Sequence, residues 1–87
     1  MSTLAVETKE EVSATGVHFT DSMLYITLSD EREIGIPFKR IHWLAWLGQA
    51  TPEQRAKWSL EPGGFAVWWN DLDDGIEIGH LLQKQPL

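Results

Sequence analysis

Three aspartates fall within four residues in the stretch Trp68-Trp69-Asn70-Asp71-Leu72-Asp73-Asp74-Gly75. Carboxylates at this density could hold a hard cation or supply an acid and a base. A calcium hand needs oxygen ligands at loop positions 1, 3 and 5, glycine at 6 and a bidentate glutamate at 12. Counted from Asp71, those last three positions hold Gly75, Ile76 and Leu82, so the pattern fails. Glycoside chemistry needs two carboxyls with one pKa raised by burial, whereas adjacent acids read first as an exposed strand-end turn, where Asn and Asp bond to their own backbone. A small ligand- or divalent-metal-binding role for the acidic 70–75 turn is the alternative reading.

Other catalytic constellations are weaker. His18, His42 and His80 lie on different expected elements, so a zinc site would need the fold to bring them together. No serine has a G-x-S-x-G setting. Gly63-Gly64 follows a proline and leads into a strand, unlike a phosphate loop. With no cysteine there is no thiol nucleophile and no disulfide. The expectation is therefore a protein that is not an enzyme and carries no cofactor or metal.

Tryptophan is the informative excess, with five in 87 residues. Trp69 has the inward parity of its strand and Trp58 is placed to cap the core, whereas Trp68 has outward parity. Trp43 and Trp46 are three residues apart, off the main apolar face of their segment, with Arg40 nearby. Aromatic clusters with arginine are typical of interface hot spots. The competing readings are that these indoles are simply core, or that they stack single-stranded nucleic acid. The last is opposed by a net charge of −6, because phosphate binding needs excess Lys and Arg. The charge is uneven: −5 over residues 1–36 (seven acids, two bases), +3 over 37–58 (four bases, one acid) and −4 over 59–87 (five acids, one base). A mildly basic middle suits a solvated surface, or a site for an acidic group.

These residues need elements to hold them. Residues 1–12, with a K-E-E run, are expected as a flexible tail or loosely paired strand, and 13–87 as one α+β domain. Val17 and Phe19 alternate with His18 and Thr20. Leu24, Ile26 and Leu28 alternate with Tyr25, Thr27 and Ser29, and Ile34 and Ile36 follow a turn at Asp30-Glu31-Arg32. This predicts an antiparallel three-strand meander. Pro37 closes the third strand. Phe38, Ile41, Leu44, Ala45 and Gly48 share a helical face. Thr51-Pro52-Glu53-Gln54 is a capping box with proline at the first helical position, opening a second helix that should end near Trp58–Leu60. Phe65, Val67 and Trp69 form the inward face of a fourth strand, I-E-I (76–78) a short fifth, and H-L-L-Q-K (80–84) a helical turn. The simplest assembly is one antiparallel sheet of four or five strands with the helices packed on one face. No leader or membrane span is expected, and a cysteine-free chain suits the cytoplasm.

Read together, L-S-D-E-R-E-I-G-I-P (28–37), A-T-P-E-Q-R-A-K-W (50–58) and W-N-D-L-D-D-G-I-E-I-G-H-L-L (69–82) resemble the small bacterial family catalogued as domain of unknown function 2442. The resemblance covers roughly 15–83, and its specificity lies in the order and spacing of these stretches. Three departures stand out: Glu31 replaces the usual turn glycine, Trp43 and Trp46 lie in a helix that often carries proline, and Gly75 replaces the third acid of the acidic turn. The resemblance implies an α+β fold with no established activity, and genes often paired with another small family in toxin–antitoxin-like modules. Some members are fused to a helix-turn-helix; no such extension is expected here, so DNA binding is not expected to carry over.

Together these readings predict a non-catalytic interaction module, antitoxin-like or an adaptor, for a basic protein partner encoded by an adjacent gene. The expected partner-binding residues are Arg40, Trp43, Trp46, Trp68, Asp71, Asp73 and Asp74. A homodimer that buries the tryptophan surface is the other partner expectation.

Overall fold

The structure, a computed structural model, describes residues 12–84. Residues 1–11, expected as a tail or loosely paired strand, and 85–87 lie outside that range. The meander forms as its alternation dictates. Strands β1 (Ala14–Phe19), β2 (Leu24–Leu28) and β3 (Glu33–Ile36) pair antiparallel in that order. Leu24, Ile26 and Leu28 are buried on one face of β2, with Ile36 beside them. A register shift between Ala14 and Gly16 marks a bulge in β1.

The β2–β3 turn keeps a left-handed residue even without glycine, because Glu31 sits at φ 74. Asp30 holds the turn. Its carboxylate accepts the Arg32 backbone N–H at 3.1 Å and Arg32 Nε–H at 2.7 Å. The backbone hydrogen bond, reinforced by the guanidinium, lowers the Asp30 pKa below its usual value.

The single helix expected after Pro37 is instead three short turns. Phe38–Arg40 and His42–Leu44 are 3-10, followed by α1 (Ala45–Gly48), with Ile41 extended between the first two at φ −103 and ψ 120. The core explains the break. It takes Phe38, Leu44 and Leu47, each fully buried, while Ala45 is exposed and Ile41 and Gly48 are half-buried. At about 100° per residue, a continuous helix would point Phe38 and Leu47 in opposite directions. Interrupting it at Ile41 allows both to enter the core.

The capping box forms as expected. Gln54 N–H donates to Thr51 Oγ1 at 3.1 Å, and Thr51 N–H donates to Gln54 Oε1 at 3.0 Å. The helix it opens, α2 (Pro52–Arg55), stops sooner than expected, and Trp58–Leu60 is a strand, β4. Trp58 pairs with Trp69 and Leu60 with Val67, so cross-strand contacts override the local helix signal. β5 (Ala66–Trp69) and β6 (Asp74–Glu77) complete a second antiparallel sheet, ordered β4-β5-β6, and α3 (Ile78–Lys84) follows. The β4–β5 connection needs its glycines: Gly63 and Gly64 have φ 85 and 72, and a Cβ on Gly64 would stand 2.5 Å from the Ala14 carbonyl oxygen. That turn also takes Phe65 out of strand parity. It has helical angles and is 50% exposed, not part of the inward face.

The fold is therefore α+β, with six strands in two three-stranded sheets among the described residues rather than one sheet of four or five. The four-residue α1 and α2 are too short to cover a sheet face as expected. The two sheets share one core. Trp69 is fully buried and meets the edges of Phe19 from β1 and Trp46 from α1, while its Nε1–H donates to the Arg55 carbonyl at 2.9 Å. Among the described residues, no helix is long and apolar enough to cross a membrane.

Candidate functional site

Strand β6 lies between two concavities, of about 380 and 420 Å³, that share Asp74, Gly75, Ile76 and Glu77 as lining. Strand register sets this up. Ile76 pairs with Val67 and is buried, which leaves Gly75 and Glu77 opposite the outward residues Trp68 and Ala66 of β5. Gly75 is small because Trp68 lies across it: a Cβ there would stand 2.5 Å from Trp68 Cε3. The glycine that breaks the acidic turn is thus the seat of an indole.

On one side Trp43, Trp46 and His80 complete the wall, with Trp43 and His80 edge to face at 5.8 Å. Trp46 is fixed by its Nε1–H to the Trp43 carbonyl at 3.2 Å and by an edge contact with buried Trp69 at 5.6 Å. On the other side Trp68 and Glu61 complete the wall. Trp43, Trp46 and Trp68 are each half-buried: Trp43 and Trp46 pack on the core with one part and reach solvent with another, whereas Trp68 lies on the outward face of the second sheet over Gly75. The two concavities hold the carboxylates of Glu61, Asp74 and Glu77 and no lysine or arginine. An indole face attracts a cation, by about 0.5–1 kcal/mol when exposed and more when desolvated. A neighbouring carboxylate adds Coulomb attraction. The arrangement is chemically suited to basic side chains.

Four of the expected residues, Trp43, Trp46, Trp68 and Asp74, come together around β6. The other three line neither concavity. Arg40 ends the first 3-10 turn and is exposed. Asp71 faces Lys57 at 3.7 Å, an exposed pair of small energetic weight. Asp73 is exposed and forms the left-handed corner of the turn at φ 53. Asp74 Oδ1 accepts the Gly75 N–H at 2.8 Å. The three aspartates thus do not act together, and no three His, Asp or Glu side chains converge as a metal-holding group among the described residues. Glu61, Glu77 and His80 also line the surface, though the sequence did not single them out for it. Outward parity in I-E-I was a readable signal for Glu77; Glu61 and His80 depend on the turn and on α3.

The family model described as "Protein of unknown function (DUF2442)" matches residues 14–86. No curated protein matches the chain. Among solved structures, the crystal structure of a protein of unknown function from Rhodospirillum rubrum ATCC 11170 is similar, with a TM-score of 0.71 at 16% identity over 85% of this chain and 88% of that one. At that identity the likeness shows the fold.

Proposed function

Since the chain belongs to the DUF2442 family of proteins of unknown function, we propose, from its own surface, that it is a non-catalytic interaction module that receives basic side chains of a protein partner around β6. One observation carries this reading: three half-buried tryptophans surround three carboxylates with no lysine or arginine among the lining. Trp43 and Trp46, held by core packing, and Trp68, seated on Gly75, lose little freedom on binding. A net charge of −6 favours encounter with a positively charged partner. A basic protein encoded by an adjacent gene, in an antitoxin-like or adaptor relationship, fits this chemistry and is part of the proposal. So is a cytoplasmic setting, which rests on the absence of cysteine.

The test is copurification with the product of the neighbouring gene, followed by calorimetry. Trp43→Ala with Trp46→Ala should weaken binding by about 2 kcal/mol or more, the range of interface hot spots. Asp74→Asn with Glu77→Gln should weaken it too and flatten its salt dependence. Unchanged affinity in both double variants would remove the β6 surface from the interaction.

A further inference from the structure

We propose that Arg55 anchors a second binding site, for a small organic carboxylate, in the cleft between the end of β1 and α2. Arg55 is only 8% exposed, yet none of the ion pairs among the described residues includes it. Buried charges are ordinarily paired. Its Nη1 donates to the carbonyls of Leu47 and Ala50, and the guanidinium carbon lies 5.0 Å from the Phe38 ring centroid. These contacts use one end nitrogen and one face. Nε and Nη2 have no protein acceptor among the described residues. No buried side-chain nitrogen there lacks a partner, so both are reached by solvent. Together they form the side-on edge of the guanidinium, which can take a carboxylate with two parallel hydrogen bonds.

Arg55 lines a cavity of about 380 Å³ with His18, Phe19, Thr20, Asp21 and Trp58 among its walls. That is room for a small molecule rather than a bare ion. Phe19 and Trp58 are half-buried and supply an apolar wall. Thr20 Oγ1 already accepts the Met23 N–H, which leaves its O–H free to donate. Asp21, the carboxylate of the cavity, is not within 4.0 Å of an Arg55 nitrogen. It opposes ligands with several negative charges and favours a singly charged one with a flat apolar body. The cleft shares no residue with the concavities around β6, so this site stands or falls separately from the proposed partner surface.

Benzoate is the probe, with benzamide as its neutral isostere and sodium chloride at matched ionic strength. The Arg55 Nε–H and Trp58 Nε1–H resonances of isotope-labelled full-length protein are followed by NMR. Benzoate should shift both saturably, and benzamide should shift neither. Asp21→Asn should tighten benzoate binding several-fold, and Arg55→Lys, which keeps the charge and loses the edge, should weaken it at least tenfold. The titration of the unaltered protein decides the matter should Arg55→Lys fail to fold. Equal responses to benzoate and benzamide would overturn the site. So would an Arg55 resonance that responds to Asp21→Asn but to benzoate in neither protein, since Asp21 would then be its occupant.

Discussion

The indole of Trp68 lies over Gly75, its partner across the β5–β6 pair, so closely that a Cβ on Gly75 would meet Trp68 Cε3 at 2.5 Å and the Val67 carbonyl oxygen at 2.6 Å. The first sheet repeats the relationship. Tyr25 on its central strand faces Gly35 on β3, where a Cβ would meet Tyr25 Cε1 at 2.8 Å. In both sheets an aromatic on the central strand shields the backbone of a glycine on the last one. Gly75→Ala must therefore displace backbone as well as indole. It should cost about 1–3 kcal/mol, the range for overpacking, visible as a lower urea midpoint. It should also weaken partner binding beyond the stability loss, since Trp68 moves with it.

Glu31 stands at φ 74 without glycine's freedom. A left-handed non-glycine residue costs roughly 1–2 kcal/mol, partly offset by the greater freedom glycine brings to the unfolded chain. Glu31→Gly should stabilise the protein by about 0.5–1 kcal/mol in denaturant melts. A loss of stability would mean that the Glu31 side chain makes a contribution the turn geometry does not reveal.

Asp30 titrates below its usual value of 3.8, chiefly because of the Arg32 backbone N–H. A carboxyl with a depressed folded pKa contributes stability that is fully present above its unfolded pKa and lost as pH falls through the folded value. The carboxylate is open to solvent, so the effect is small. Asp30→Asn should lower the denaturation midpoint at neutral pH and leave a gap that closes on acidification through the carboxylate range. A gap that is constant with pH would assign the loss to the turn's geometry rather than to its charge.

The reciprocal bonds of Thr51 and Gln54 start a helix of only four residues. That helix carries Arg55, whose carbonyl receives the Trp69 indole N–H. Thr51→Ala should cost about 1 kcal/mol, read from the thermal midpoint. Local protection from hydrogen exchange should fall most at Gln54, whose amide loses the Thr51 hydroxyl, and next at Arg55 and Ala56, whose amides bond to the Thr51 and Pro52 carbonyls.

What the sequence made legible was local. Alternation from Val17 to Ile36 and the Thr51–Gln54 box depend on neighbours in the chain, and both formed as expected. The break at Ile41 and the strand at Trp58 did not follow from local pattern. The first answers the need to bury Phe38 and Leu47 together, and the second the pairing of Trp58 with Trp69 across eleven positions. The site shows the same division. Composition marked Trp43, Trp46, Trp68 and Asp74, but their grouping depends on β6 joining a second sheet, which no local window contains. Nothing in the chain around Arg55 marks it, because the Leu47 and Ala50 carbonyls and the Phe38 ring meet its guanidinium only in the fold.

Trp69 is the one tryptophan of the five that is wholly buried, whereas Trp43, Trp46, Trp58 and Trp68 each keep a solvent-facing part. Optically, this divides the chain into two sets of chromophores. A collisional quencher such as acrylamide should reach the four rim indoles in the native protein, and a bound partner should shield the three around β6. The fifth emits from an apolar setting and stays dark to the quencher for as long as Phe19 of the first sheet and Trp46 of α1 remain against it. The onset of its quenching therefore times the opening of the shared core, where Phe19 of the first sheet and Trp46 of α1 meet it.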